Sequence, residues 1–211
     1  MIILFDLDGT LIDSTEAILE GFEVAFREFN RTPPKDEEIK RLIGYPLDIM
    51  LQKLGVDRAN IESFVNAYKL HYREIYIKKT TLLPYAKEAI EVASSIATLG
   101  VVTTKTATYS QELLQHMKIM DNFDLLIGRE NVKNPKPHPE PILKAMKRLK
   151  AKKEETWMIG DTILDMVAAK SAGVKSIGVT CGYGSKSELQ KYTKKIVDNS
   201  FEAVNIIKIF T

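Results

Sequence analysis

The chain has 211 residues, 45% of them hydrophobic, which is enough to bury a substantial core and a small second domain. Its 30 Lys and Arg residues nearly balance 28 Asp and Glu residues, and the net charge of +2 argues against nucleic acid as a partner. No apolar run approaches the roughly 20 residues of a membrane span, so we expect no membrane partner. No leader pattern opens the chain, and the one cysteine, Cys181, fits a reducing compartment, so we expect a cytoplasmic protein.

The first stretch is predicted to be a buried strand that ends in two aspartates. Ile2–Phe5 is apolar, and Asp6 and Asp8 follow at its carboxyl end, where open α/β sheets place their ligand crevice. Gly9 supplies a turn and lets backbone N–H groups approach an anion closely. This stretch alone leaves two interpretations open: a carboxylate nucleophile beside a proton-transferring carboxyl and a divalent cation, or an ordinary strand followed by a turn.

The segment that follows is predicted to be entirely helical. Ser14 is a candidate N-cap for a helix up to residue 30, and helical spacing recurs over 36–42, 47–54 and 58–79. We therefore expect residues 14–79 to form a helical cap, which could close over a ligand and exclude water. The alternative is a decoration that only adds stability.

From residue 80 onwards the pattern alternates between strand and helix. Strands are predicted over 99–103, 124–127, 156–160, 175–180 and 194–197, and helices over 88–96, 109–117, 141–149 and 165–172, the last closed by Gly173. Strands separated by helices predict an α/β fold with a doubly wound, Rossmann-like parallel sheet. Its core would comprise residues 1–13 and 80–211.

Three further strand ends carry polar groups. Thr103 and Thr104 offer hydroxyls and N–H groups to phosphate oxygens, although threonine is also a common strand residue. Lys136 lies among three prolines that stiffen its loop, so its ammonium could neutralise a carboxylate and a phosphoryl group, unless it is a surface lysine. Asp161 and Asp165 would place more negative charge beside the first aspartates, which favours Mg²⁺, unless Asp161 only caps a helix.

The ordered motifs 6–10, 103, 136–137 and 160–165 resemble those of the haloacid dehalogenase superfamily, and the helical insert resembles its subclass with an α-helical cap. The match spans essentially the whole chain, and segments 5–14 and 178–184 are similar to phosphoglycolate phosphatase and its close relatives. The resemblance implies that Asp6 attacks phosphorus, that Asp8 protonates the leaving alcohol and later activates water, and that Lys136 stabilises the negative charge.

The same resemblance implies the ligand contacts. Thr103, with the backbone N–H groups around Leu7 and Thr104, would hold the phosphoryl oxygens. Mg²⁺ would be bound by Asp6, Asp161 and the Asp8 carbonyl, with Asp165 in support. Thr104 departs from the asparagine common in the phosphoglycolate phosphatase relatives, and Tyr45, in the cap loop 44–46, is expected to set substrate choice.

The sequence thus predicts a Mg²⁺-dependent phosphomonoester hydrolase for a small phosphorylated metabolite, phosphoglycolate being the leading candidate. Pyrophosphatase, sugar-phosphatase and phosphoglucomutase relatives share the motifs, and a non-catalytic binding protein is the alternative from another class. A monomer and a homodimer are both compatible with the sequence. His71, His116 and His138 show no metal-ligand spacing, and only His138 is near a predicted site residue.

Overall fold

The computed structural model describes residues 1–210, and its main element is a six-stranded parallel sheet in the order β5-β4-β1-β6-β7-β8. A separate antiparallel pair joins β2 to β3. The strands are β1 (Ile2–Phe5), β2 (Ile12–Asp13), β3 (Thr81–Leu82), β4 (Thr98–Val102), β5 (Leu125–Ile127), β6 (Thr156–Gly160), β7 (Lys175–Val179) and β8 (Ile196–Val197).

Helices cover both faces of this sheet and fill the segment between β2 and β3. They are α1 (Thr15–Glu28), α2 (Asp36–Lys40), α3 (Leu47–Lys53), α4 (Ile61–Ile75), α5 (Ala86–Ser94), α6 (Ala107–His116), α7 (Glu140–Arg148), α8 (Ile163–Ala172), α9 (Lys186–Leu189) and α10 (Ser200–Lys208). No helix among residues 1–210 combines the length and apolarity needed to cross a bilayer.

The central strand β1 is buried on both faces, as expected for a parallel sheet covered by helices. Ile3 and Phe5 pack into the cluster that contains the apolar residues of α5, α6 and α10, whereas Ile2 and Leu4 pack with those of α7 and α8. Side chains of a strand alternate between faces, so this partition shows directly that the sheet is wound on both sides. The predicted α/β fold class is confirmed.

Strand order determines where polar side chains can meet. The chain runs from β1 to β4 and β5 on one side, and then crosses to β6, β7 and β8 on the other. The carboxyl ends of β4, β1 and β6 are therefore adjacent at the point where the winding reverses, which is the usual ligand crevice of such sheets.

The helical insert consists of α1 to α4 and is rich in aromatic contacts. The Phe22 and Tyr68 rings join α1 to α4 with centroids 5.2 Å apart, and Phe26 and Phe64 repeat this contact at 5.2 Å. The β2–β3 pair lies at the base of the insert, where the chain leaves the core and returns to it. The buried side chains of the insert belong to the same apolar cluster as the side chains on one face of the main sheet.

Several predicted boundaries were wrong, mostly by one to three residues at helix and strand ends. The largest error concerns the segment 58–79, in which the helix covers only Ile61–Ile75 after a 3₁₀ turn at Arg58–Asn60. The strands β2 and β3 and the helices α9 and α10 were not predicted, because two-residue strands and four-residue helices carry no readable periodicity. Even α10, at nine residues, was missed.

Candidate active site

Three buried carboxylates and one buried lysine meet at the carboxyl edge of the sheet. Asp6 follows β1, Asp161 follows β6 and Asp165 lies in the first turn of α8, and one carboxylate oxygen of each lies within 4.8 Å of the others. Lys136, from the loop between β5 and α7, places its Nζ 2.8 Å from Asp6 Oδ1 and 2.5 Å from Asp165 Oδ1. Three distant segments of the chain therefore converge on one cluster.

Asp165 is fixed by the start of its own helix. Thr162 is the N-cap, and its backbone N–H and its hydroxyl donate to Asp165 Oδ2 at 3.1 and 2.8 Å. Asp165 Oδ1 accepts a hydrogen bond from Lys136, so both oxygens of Asp165 are hydrogen-bonded and the carboxylate orients the lysine. The alternative in which Asp161 caps this helix is wrong, because Thr162 holds that position.

Lys136 is anchored to the sheet as well as to the acids. Its Nζ also donates to the backbone carbonyl of Val102, the last residue of β4, at 2.9 Å. The ammonium thus has three acceptors and is almost fully buried, with 1% of its side chain exposed. The acids raise the pKa of Lys136 above its ordinary value although burial opposes this, so the lysine stays charged.

Asp161 is held by two loops that require close backbone approach. Thr10 Oγ1 donates to its Oδ1 at 3.0 Å, and the Tyr183 backbone N–H donates to its Oδ2 at 2.8 Å. A Cβ at Gly9, whose φ is +80°, or at Gly182 would overlap the Asp161 carboxylate. These glycines are therefore needed to let the loops after β1 and β7 close around the acid.

The cluster contains three carboxylates and only one ammonium group. Burial, and then the Asp165 charge, raise the pKa of Asp6 from 3.8 to about 7 despite the opposing Lys136. Burial and the neighbouring Asp6 and Asp165 carboxylates likewise raise the pKa of Asp161 well above its usual range. Carboxylate oxygens within 4.8 Å of one another are the donors that a hard divalent cation prefers, so the residues present fit such an ion.

Asp8 lies apart from this cluster and faces a different environment. Its Oδ1 accepts a short hydrogen bond from Ser14 Oγ and lies 3.2 Å from Lys105 Nζ. Ser14 occupies the N-cap position of α1 as predicted, but its hydroxyl bonds to Asp8 and not to the helix. The Asp8 carboxylate is not a member of the acidic cluster, which leaves its backbone carbonyl as the group predicted to bind a metal.

Lys105 lies at the site although the sequence predicted no role for it. Besides Asp8 it contacts Tyr72 of α4, donating to the phenol oxygen at 3.0 Å. It therefore connects the strand end of β4 with the helical insert and with Asp8. Its place directly after Thr103 and Thr104, at a strand end, was the signal available.

The predicted phosphate contacts divide between the cluster and the insert. Thr103 is buried, and its Oγ1 accepts from the Lys105 backbone N–H at 3.1 Å. The Thr104 hydroxyl donates to the Gly44 carbonyl in the insert at 2.8 Å, whereas the Thr104 backbone N–H has no acceptor among residues 1–210. Leu7 is buried in the turn that Gly9 completes, where its carbonyl accepts backbone N–H groups.

A cavity of about 360 Å³ opens between the strand ends and the insert. Asp8, Thr104 and Lys105 line it from the core side, and Tyr45 and Tyr72 line it from the insert. Asp6, Asp161 and Asp165 are not part of its wall. Asp8 therefore lies between the buried cluster and the space available to a ligand.

The histidines are not in the cluster. His71 Nε2 lies 2.7 Å from Glu20 within the insert, His116 is exposed on α6, and the ring of His138 accepts a hydrogen bond from the Glu140 backbone. Cys181 is half-buried, its thiol donates to the Gly9 carbonyl, and burial raises its pKa to about 11. Trp157 is buried in β6.

Buried acids lie at the carboxyl edge of a parallel sheet, and a helical insert follows the first strand. These features define the class of capped α/β hydrolases. The family model described as haloacid dehalogenase-like hydrolase matches residues 3–179. The chain belongs to this family, as its motifs suggested.

Similar proteins support this assignment over nearly the whole chain. A phosphoglycolate phosphatase from Aquifex aeolicus is 33% identical over 86% of this chain and 85% of its own length. Pyrophosphatase PpaX from Bacillus mycoides is 31% identical over 90% of this chain and 88% of its own. The crystal structure of a haloacid dehalogenase-like hydrolase from Bacteroides fragilis superposes with a TM-score of 0.90, at 33% identity, over 96% of this chain and 98% of its own.

Proposed function

We propose that this protein hydrolyses phosphate monoesters of small metabolites, with Asp6 as nucleophile and Mg²⁺ as cofactor. The observation that carries the proposal is the ion pair between Lys136 and Asp6 inside a buried acidic cluster, 2.8 Å between Nζ and Oδ1. The charged lysine favours the ionised form of the attacking carboxylate and so opposes burial, which favours its neutral form.

The first half-reaction forms a bond between an Asp6 oxygen and phosphorus while the bond from phosphorus to the leaving oxygen breaks. Lys136 contacts Oδ1, so Oδ2 is the oxygen left to attack. Asp8 gives its proton to the leaving alkoxide, which departs as the alcohol. Both neighbours of Asp8, Ser14 and Lys105, contact its Oδ1, and this leaves Asp8 Oδ2 for the proton transfer.

The second half-reaction reverses these roles. Asp8, now a carboxylate, takes a proton from water, and the water oxygen attacks phosphorus of the aspartyl-phosphate. The bond between phosphorus and Asp6 breaks, the Asp6 carboxylate is restored and inorganic phosphate leaves. Because Asp8 lines the cavity and Asp6 does not, the proton-transferring group lies on the side from which alcohol leaves and water enters.

Charge stabilisation comes from the buried groups. Asp6, Asp161 and the Asp8 carbonyl would hold Mg²⁺, which supplies positive charge to the phosphoryl oxygens when bound. Lys136 adds a fixed ammonium, positioned by Asp165 and Val102. The free Thr104 backbone N–H and the Thr103 side chain lie at the adjacent strand end, where they would orient the phosphoryl group.

We further propose that residues 14–79 act as a lid over a core of residues 1–13 and 80–211. Polar contacts join the lid to the core beside the site, among them Thr104 Oγ1 to the Gly44 carbonyl, Lys105 Nζ to the Tyr72 hydroxyl and Ser14 Oγ to Asp8 Oδ1. Tyr45 lies on the lid side of the cavity, in position to contact the leaving group. The single cysteine is compatible with action in the cytoplasm.

The test is hydrolysis of p-nitrophenyl phosphate with and without Mg²⁺. We expect activity that disappears on chelation and that falls to background in Asp6→Asn, a loss of at least about a thousandfold. Mg²⁺-dependent turnover retained by Asp6→Asn would contradict the nucleophile assignment. A folded wild type that hydrolyses neither this ester nor any of a panel of phosphorylated metabolites would favour a binding protein.

The substrate is a separate question. Phosphoglycolate and pyrophosphate belong on the panel because relatives named for these substrates are 33% and 31% identical to this chain. Sugar phosphates complete it, and the highest kcat/KM identifies the substrate class.

A further inference from the structure

Resting on the proposed function, we infer that the leaving group carries a planar, mostly apolar ring, so that the substrates are phosphate esters of ring-bearing alcohols. Neither glycolate nor a second phosphate has such a group.

The wall of the cavity next to Asp8 is unusually aromatic for its sequence. The chain has eight tyrosines, and half of them line the cavity: Tyr45, Tyr68, Tyr72 and Tyr109. Five more apolar side chains line it, namely Ile18, Ile43, Leu47, Met50 and Val65, and the rest of the wall consists of Gly44 and eight charged or hydroxyl-bearing residues. The apolar part of the wall favours ligands that remove apolar surface from water.

Three of the aromatic rings pack together in the wall. Tyr68 and Tyr72 are stacked, with centroids 5.3 Å apart and planes 16° apart, and Tyr109 lies 5.7 Å from Tyr72. Gly21 in α1 makes room for this group, since a Cβ there would overlap the Tyr68 ring. Tyr68 and Tyr72 cover each other's faces and are buried, so a planar ring in the cavity would meet their edges, which is a contact that aromatic pairs favour.

The volume also exceeds what a two-carbon acid or a phosphate needs. About 360 Å³ corresponds to roughly a dozen water molecules at about 30 Å³ each, and ligand pockets for ring-sized molecules begin near this size. The cavity therefore has room for a ring beyond the phosphoryl group.

The main cationic group next to Asp8, Lys105, already has polar partners within the protein. Lys105 Nζ is bound to Asp8 and to the Tyr72 hydroxyl, so it has little capacity for a substrate carboxylate. The Tyr68 hydroxyl makes no hydrogen bond among residues 1–210, which leaves one polar handle on an apolar wall. Lys69 and Arg129 also line the cavity without an ion pair in that part of the chain, and they are the groups that would favour an anionic substrate instead.

A matched pair of esters isolates the ring. 2-Phenylethyl phosphate and ethyl phosphate are both esters of primary alcohols with similar leaving-group reactivity, and they differ by the phenyl ring. We expect kcat/KM to be about tenfold or more higher for the phenylethyl ester, the gain typical of burying such a group. Equal values for the two esters, or a clear preference for phosphoglycolate over both, would overturn the inference.

Substitutions in the cavity wall test whether the wall causes the preference for the phenylethyl ester. Tyr109→Ala should lower the ratio of the two kcat/KM values severalfold, and Tyr109→Leu, which keeps apolar volume, serves if the alanine variant does not fold. Tyr192→Ala, a partly exposed tyrosine that does not line the cavity, should leave the ratio unchanged. A ratio unaffected by both Tyr109 variants would contradict the assignment of the wall.

The outcome also separates this inference from the proposed function. Hydrolysis of p-nitrophenyl phosphate without any preference for the phenylethyl ester rejects the ring and keeps the phosphatase. Absence of hydrolysis of every ester rejects both.

Discussion

The carboxyl edge of the sheet and the helical insert face each other across one cavity, yet their side chains are of opposite character. The sheet contributes buried charges, with Asp6, Asp161 and Asp165 held around Lys136 by fixed hydrogen bonds. The insert contributes stacked tyrosines and aliphatic groups. The comparison suggests that the sheet performs the reaction and the insert selects the molecule on which it is performed.

Among the substitutions that compare these two regions, the largest effect should come from removing the only ammonium of the buried cluster. Lys136→Met leaves two buried carboxylates, those of Asp6 and Asp165, without their partner. We expect kcat to fall by about a hundredfold to a thousandfold and the free energy of unfolding to fall by about 3–5 kcal/mol. Steady-state kinetics and chemical denaturation measure the two effects.

The matched control is Lys133→Met, an exposed lysine in the same loop, which should change neither quantity appreciably. A Lys136→Met protein with normal turnover would remove the lysine from the reaction and break the assignment of the chemistry to the sheet.

A smaller effect is expected on the insert side of the cavity. Tyr45→Ala removes a ring from the cavity wall without touching the buried acids, so kcat/KM should change by about fivefold to tenfold for some phosphates and little for others. A panel of phosphate esters assayed side by side with wild type and Tyr192→Ala measures this. Uniform relative rates across the panel would mean that the loop 44–46 does not set substrate choice.

The smallest effect concerns charges within the insert. Hydrogen bonds from Lys79 and then His71 hold the pKa of Glu20 below its ordinary value of 4.5. A lowered folded-state pKa stabilises the fold at pH values above 4.5, and this contribution is lost as pH falls through the folded-state pKa. Glu20→Gln should therefore lower Tm by about 1–3 °C at pH 7, and the difference from wild type should shrink below pH 4.5.

Thermal melts at several pH values check this, with Glu28→Gln as the control because Glu28 is exposed and makes no ion pair in the described part of the chain. A pH-independent difference for Glu20→Gln would show that the carboxylate acts through packing and not through its charge.

The sequence predicted the site best at positions where the residue type has a single physical explanation. Asp6 and Asp161 could be predicted to converge because strand ends of a parallel sheet share an edge, and the structure brings them together with Lys136 from the loop after β5. The roles of Thr162, Thr10 and Tyr183 could not be read, because they depend on which loops fold back onto Asp161 and Asp165.

The cavity wall was harder still to predict. Tyr68, Tyr72 and Tyr109 looked like ordinary apolar positions of helices, since helical spacing cannot distinguish a core-facing ring from one that faces a ligand. Only the packing of α4 against α1 and the loop after β4 shows that these rings border open space.

The most direct test of the account is a search for the phosphorylated enzyme. In Asp8→Asn the water that should release phosphate is no longer activated, while p-nitrophenolate leaves without a proton donor. Mass spectrometry of the acid-quenched Asp8→Asn protein after incubation with p-nitrophenyl phosphate and Mg²⁺ should find one phosphoryl group on the peptide that contains Asp6. A phosphoryl group on another peptide, or none while the wild-type enzyme turns over, would contradict the account.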